Sequence, residues 1–183
     1  NGGIILANPN APTGILLDLA TIRQFLEFNE RSVVVVDEAY IDFGGESAVS
    51  LIDQYDNLLV VQTVSKSRSL AGLRVGVAMG HRDLIAGLER VKNSFNSYPL
   101  DIIAQTATLA SLQDEQFFRQ SCDRVVASRD MLSLALTDMG FSVLPSAANF
   151  LFVTHPMHRA QLLFEGLREK NILVRHFGGP QTG

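Results

Sequence analysis

The sequence predicts an α/β large domain, a three-layer unit with a mainly parallel sheet, followed by a smaller α+β C-terminal domain. Three observations carry this expectation. Short apolar, β-branched runs alternate with helical patterns at the start of the chain, as strand–helix–strand units do. The stretch SVVVVDEAY at 32–40 is continuously apolar up to its acidic end, the pattern of a strand buried on both faces of a parallel sheet. Later, a long charged helical stretch precedes a β-β-α-β succession.

Taken in order, residues 3–7 (GIILA) form an apolar run that stops at NPNAPTG, a cluster of Pro, Asn and Gly that spells strand and then loop. Asp18 is placed to cap a helix reaching about Asn29, with Leu19, Ile22, Phe25 and Leu26 inward. Residues 32–40, 57–63 and 74–79 read as strands. Residues 83–92 are amphipathic, 94–100 a polar loop around Tyr98 and Pro99, and 101–112 and 115–139 helical. Strand signals resume at 141–144 and 149–153, then a helix over 158–170 and a strand over 172–177. The expected division is residues 1–112 as part of the large domain, 113–139 as an interdomain helix and 140–183 as an incomplete small domain.

Composition narrows the function classes. With 183 residues and 46% hydrophobic content the chain can close one good core, or one large and one small lobe. A net charge of −4 with scattered Lys and Arg leaves no nucleic-acid footprint and no basic membrane-binding stripe. No apolar run approaches the ~18 residues of a membrane-spanning helix. The lone Cys122 has no internal disulfide partner and reads as a partly buried thiol in a helix, which fits a cytoplasmic setting. The chain opens with Asn1 rather than Met and stops in GGPQTG, so it is expected to be a piece of a longer protein.

The chemistry-bearing residues gather at strand ends. Asp37 closes a run of four valines. Ligands of open parallel sheets bind at that carboxyl edge, and a carboxylate there needs a cation or a donor. A strand-end turn or capping role is the equal alternative. Lys66 follows another strand, inside TVSKSRSLAGLRVG. By itself it reads as a solvated loop lysine, yet an amine at such an edge becomes a nucleophile when burial or neighbouring charge lowers its pKa. Thr63, Ser65 and turn N–H groups can cradle a phosphate, and Arg74 adds a bidentate fork. An amine, a phosphate clamp and a separate acid are what pyridoxal phosphate uses: a lysine for its aldehyde, a clamp for its phosphate, and an acid beside its pyridine nitrogen. Tyr40 lies three residues past Asp37 and either reaches the ring's 3-oxygen or packs.

NPNAPTG, VVVDEAY and SKSRSLAGLRVG stand in the order and approximate spacing of the fold-type I aminotransferases that use pyridoxal 5'-phosphate. The chain resembles the middle and C-terminal part of that family's histidinol-phosphate branch over nearly its whole length. The later segments YPL, PSAANF and ILVR add to the likeness. The resemblance implies the following roles. Lys66 is the Schiff-base lysine, which also moves the proton during transamination. Asp37 partners the pyridine nitrogen and Tyr40 the 3-oxygen. Ser65 and Arg74 hold the phosphate, with Thr63 beside them and Asn10 in the neighbouring loop. Asn149, Arg175 and Tyr98 face the substrate, and Arg175 meets its phosphate or carboxylate.

The implied reaction exchanges the amino group of histidinol phosphate with 2-oxoglutarate, giving imidazole acetol phosphate and glutamate, a step of histidine biosynthesis. The implied assembly is a homodimer. A sibling aromatic aminotransferase or phosphothreonine decarboxylase, and a non-catalytic binding protein, are the rival readings. The last is disfavoured because a core needs none of Lys66, Asp37, Tyr40 and Arg74.

Departures are specific. The family commonly reads Asn-Asn-Pro-Thr-Gly where this chain has Ala11 before Pro12, so one donor to the 3-oxygen is lost, on the order of 1 kcal/mol. Tyr40, water or Asn10 can offset it, and Asn8 and Asn10 can equally serve only to shape the turn. The family's glycine-serine phosphate loop and ring-stacking aromatic, and its second substrate arginine, fall outside these residues. His81, His155, His158 and His176 show no ligand spacing, and no metal site is expected. Glu38 is assigned to structure, Phe117 and Phe118 to core or dimer contact, and Arg119, Asp123, Arg124 and Arg129 to a solvated helix face.

Overall fold

The structure is a computed structural model that describes residues 2–96, 98 and 100–179. The expectations that touch Asn1, Ser97, Pro99 and the terminal run from Pro180 onward lie outside the described residues. Strand β1 (Ile4–Ala7) leads through the NPNAPTG turn to helix α1 (Leu19–Phe28), then β2 (Val34–Asp37), β3 (Leu58–Thr63) and β4 (Gly76–Gly80). The sheet runs in the order β1-β2-β3-β4, with β1, β2 and β3 parallel and β4 antiparallel to β3. This is the mainly parallel α/β sheet that the runs of valine and leucine predict.

Side chains of one face converge on α1. Val34, Val36, Leu58 and Val60 pack with Ile22, Leu26, Ala48 and Leu51, all buried. Each buried Val, Leu or Ile side chain among them contributes roughly 1.5–3 kcal/mol. Asp18 caps α1 by accepting the Thr21 N–H at 2.7 Å. The strands are shorter than the apolar runs suggest, and β2 alternates between buried and half-buried residues. One sheet face is therefore closed by α1, while Ile5 on the opposite face is 75% exposed.

Helices α2 (Arg82–Phe95), α3 (Ile102–Gln113) and α4 (Glu115–Asp138) follow, then β5 (Ser142–Val143), β6 (Val153–Thr154) and α5 (Ala160–Glu169). Strands β5 and β6 pair antiparallel through two residues each. The strand expected at 172–177 does not form. The Ile172 N–H turns back to the Leu167 carbonyl, and Leu173 is 81% exposed. The segment packs through side chains instead of a ladder, with Phe177 against Phe152 at 6.1 Å and His176 against Phe164 at 5.9 Å between ring centroids, and β propensity alone does not supply a pairing partner.

One further expectation is corrected. Arg129 on α4 is not part of a solvated face: its side chain is only 11% exposed. Its Nη1 donates to the carbonyls of Phe43 and Ala148, at 2.9 and 3.0 Å. Helical periodicity marks a polar face, but not the loops that fold over it. Cys122 is buried in α4, as expected. Burial, followed by the nearby Asp42 and Asp123 carboxylates, pushes its thiol pKa up.

Candidate active site

Parallel pairing brings the ends of β1, β2 and β3 to one edge. Ala7 pairs with Asp37, and Asp37 with Val61, so the NPNAPTG turn, the DEAY segment and the lysine loop leave the sheet side by side. The Asn8 N–H donates to the Asp37 carbonyl at 2.8 Å. The Asn8 side chain is fully buried and clasps Leu17 from both sides, donating to its carbonyl at 3.1 Å and accepting its N–H at 2.8 Å. Asn8 thus shapes the turn. Asn10 donates from Nδ2 to Thr13 Oγ1 at 2.6 Å, a second bond internal to the turn.

Asp37 is the last residue of β2, and its Oδ1 accepts the Ala39 N–H at 3.0 Å. That bond is the strand-end turn, and it occupies one carboxylate oxygen. Beside it, Glu38 points into the protein and is 1% exposed. Its carboxylate accepts from Ser47 Oγ, the Ala48 N–H and Gln62 Nε2, at 2.6, 2.6 and 2.8 Å. Glu38 is structural, as expected: it bridges the end of β2 to Gln62 on β3, and three donors satisfy a carboxylate that burial would otherwise penalise.

Tyr40 and Lys66 meet across the edge, with the Lys66 Nζ 5.4 Å from the centroid of the Tyr40 ring. A cation over an aromatic face at that range is worth about 0.5–1 kcal/mol where exposed. Phe150 also packs against Tyr40, in a T-shaped arrangement at 5.0 Å between ring centroids. Thr63 and Ser65 share a hydroxyl bond of 2.9 Å, and Thr63 Oγ1 also accepts the Ser65 N–H at 3.1 Å. Arg74 sits one residue before Val75, whose carbonyl accepts from both the Val64 N–H and Thr63 Oγ1. Arg74 adopts the left-handed region at φ +55°, uncommon for a residue with a side chain, and its Nη1 donates to the Ala71 carbonyl at 3.0 Å.

The residues named from the sequence therefore divide. Asp37, Tyr40, Thr63, Ser65, Lys66 and Arg74 lie on adjoining segments of one sheet edge. Asn10 belongs to the next turn along it. Asn149 is exposed in the loop that carries Phe150, and lines a groove of about 440 Å³ with Arg124, Ser128 and Arg129. Arg175 lies over the Phe177 ring at 5.3 Å, and Tyr98 is 85% exposed, its N–H donating to Asn96 Oδ1. Among the described residues, neither Arg175 nor Tyr98 hydrogen-bonds to the edge cluster. Phe150 was not singled out as a site residue; only its place in PSAANF hinted at it.

The loop bearing Phe150 reaches the edge through two further contacts. The Ala147 N–H donates to the Gly14 carbonyl at 2.9 Å. Gly14 has φ +80°, and a Cβ there would lie 2.4 Å from Ser146 Oγ. Glycine is thus required both by backbone and by contact.

An amine beside a phenol, with a carboxylate, two hydroxyls and a guanidinium on adjoining segments of the same sheet edge, is the setting in which the family is found. The sequence profile described as aminotransferase class I and II matches residues 1–182, and the chain belongs to that family. It is 62% identical over 181 residues to histidinol-phosphate aminotransferase 2 of Dechloromonas aromatica, covering 99% of this chain and 51% of that protein. It is 60% identical over 177 residues to histidinol-phosphate aminotransferase 1 of Pseudomonas aeruginosa, covering 97% and 50%. The chain spans about half the length of the curated relatives it matches.

Among solved structures, histidinol-phosphate aminotransferase from Sinorhizobium meliloti in complex with pyridoxal-5'-phosphate shares the fold, with TM-score 0.86 and 24% identity over 97% of this chain and 50% of that one. L-threonine-O-3-phosphate decarboxylase from Porphyromonas gingivalis aligns with TM-score 0.75 and 25% identity over 93% and 53%.

Proposed function

We propose that this chain carries the cofactor-binding part of an aminotransferase that uses pyridoxal 5'-phosphate. It would interconvert histidinol phosphate and imidazole acetol phosphate, with 2-oxoglutarate and glutamate as the other amino pair. The observation that carries the reading is the Lys66 amine held 5.4 Å from the Tyr40 ring, at the sheet edge where β2 ends in Asp37. Identity near 60% to proteins named for this reaction supports the substrate.

The residues fit the group. The Lys66 amine has no hydrogen-bond partner among the described residues, one Asp37 oxygen is uncommitted there, and the Arg74 fork spends only Nη1 on Ala71. When bound, the cofactor supplies a carbonyl that condenses with amines and a ring that accepts electrons from the substrate's Cα. Lys66 would hold the group through its amine and would move a proton at the substrate Cα. The Asp37 carboxylate would keep the ring nitrogen protonated, and the Tyr40 phenol would donate to the 3-oxygen. Thr63, Ser65 and Arg74 would bind the phosphate, with Asn10 at the neighbouring turn. Asn149, Arg175 and Tyr98 orient the substrate, Arg175 through its phosphate or carboxylate.

The reading includes a homodimer in the cytoplasm. No helix among the described residues is long and apolar enough to cross a membrane, which is consistent with it. It also includes the division into residues 1–112, 113–139 and 140–183. The test compares histidinol phosphate, phenylalanine and phosphothreonine as substrates of the complete polypeptide that contains these residues, with added pyridoxal 5'-phosphate and 2-oxoglutarate. Histidinol phosphate should be the best amino donor, and Lys66→Ala should remove the visible absorbance of bound cofactor. Preference for phenylalanine, or release of CO₂ from phosphothreonine, would overturn the substrate.

A further inference from the structure

We infer that Asp42 and Ser67 are positioning residues for the Lys66 amine. The inference rests on the function proposed above. Ser67 follows Lys66 directly, and Asp42 lies two residues past Tyr40, in the 3-10 turn Ile41–Phe43. The buried Ser67 hydroxyl donates to Asp42 Oδ2, a charge-assisted bond. That one bond ties the loop presenting the amine to the turn presenting the phenol.

The amine itself needs such a tie. Lysine ends a flexible four-carbon stem, and its exposed ammonium gains little from one aromatic face. Its backbone must therefore hold it over Tyr40. Around it, the Lys66 carbonyl accepts the Ser69 N–H at 3.1 Å, and the Leu70 N–H donates to the Val64 carbonyl at 3.0 Å. These close the loop on itself without fixing it to β2. Arg68 anchors the far side: Nη1 donates to the Ser111 carbonyl at 2.6 Å, and its guanidinium lies 3.9 Å from the centroid of the Phe118 ring. Between Arg68 and the strand, Ser67–Asp42 is the side-chain bond from this loop to the Tyr40 turn. Glu38 sets the spacing of β2 and β3 beneath; Asp42 and Ser67 set the position of the amine above.

The experiment reads the lysine directly rather than turnover. The complete polypeptide is exposed to pyridoxal 5'-phosphate, reduced with borohydride and digested, and the pyridoxyl adduct is apportioned by mass among Lys66, Lys92 and Lys170. Unmodified protein should carry most of its adduct on Lys66. In Ser67→Ala the Lys66 share relative to the two other lysines should fall roughly tenfold, the effect of losing one hydrogen bond to a charged group. Ser67→Thr, which keeps the hydroxyl, should restore it, and Asp42→Asn, at an exposed position, should give an intermediate loss. General loosening of the fold would not be rescued by threonine. An unchanged Lys66 share in Ser67→Ala, or in Asp42→Asn should the alanine variant not fold, overturns the positioning role. No preference for Lys66 in the unmodified protein overturns instead the proposed function on which it rests.

Discussion

The sheet edge and the C-terminal region are built by different means. Strands β1 to β4 are held by ladders of four, four and five residue pairs, over a core closed by α1. Among the described residues the C-terminal region has one two-residue ladder, and it leans on the first region through Ala147 to Gly14, Arg129 to Ala148 and Phe43, and Phe150 to Tyr40. The difference teaches where information resides. The first region is specified by its own pattern of apolar residues, whereas the second is specified by what it touches. Chemistry that depends on fixed distances belongs on the first; a loop that meets substrate can belong to the second.

Substitutions in the two regions should differ in what they cost. The largest effect is expected in activity: Lys66→Ala should lower amino transfer by on the order of 10³-fold or more, since it removes the group that moves the proton. Asn149→Ala should cost only about tenfold, the scale of one hydrogen bond to a charged group. Similar steady-state losses at the two positions would erase the division of labour.

In stability, Leu26→Ala should cost about 2–5 kcal/mol by denaturant unfolding, because it opens a cavity between α1 and the sheet. Arg129→Met should cost about 1–3 kcal/mol by leaving the Phe43 and Ala148 carbonyls short of a donor. It should also alter the environment of Phe150 more than that of the sheet, a contrast that amide exchange can resolve. Leu173→Ala should stay within about 0.5 kcal/mol, since its side chain is exposed. A cost near that of Leu26→Ala would mean that residues 172–177 are packed after all.

The smallest effect concerns acid. Side-chain and backbone hydrogen bonds from Thr21 hold the Asp18 carboxyl below its ordinary pKa. Its contribution is therefore complete above the unfolded carboxylate value and is lost as pH falls through the lower folded one. Asp18→Ala should flatten stability against pH in that acid window and leave the neutral-pH slope unchanged.

These same particulars show what could be read in the sequence. The valine run ending in Asp37, the leucine-valine run ending near Thr63 and the cap at Asp18 are local signals; β3 and α1 formed close to their expected bounds, and β2 formed at the expected place but shorter. The juxtaposition of Tyr40 with Lys66 was only partly legible: both follow strand ends, but a separation of 26 positions carries no distance, and the resemblance to a known family supplied the rest. Arg129 was misplaced because a buried guanidinium and a solvated one look alike in a helical pattern. The 172–177 segment was misplaced because β propensity names a candidate strand and not its partner. Phe150, Asp42 and Ser67 emerge only once two loops share space.

The central claim is that β2 and β3 deliver an acid and an amine to one flat ring. A crystal structure of the complete polypeptide with pyridoxal 5'-phosphate tests it most directly. Continuous density should run from the Lys66 Nζ to the cofactor, with an Asp37 carboxylate oxygen within hydrogen-bond distance of the ring nitrogen. Cofactor joined to another lysine, or an Asp37 carboxylate turned away from the ring, would contradict it.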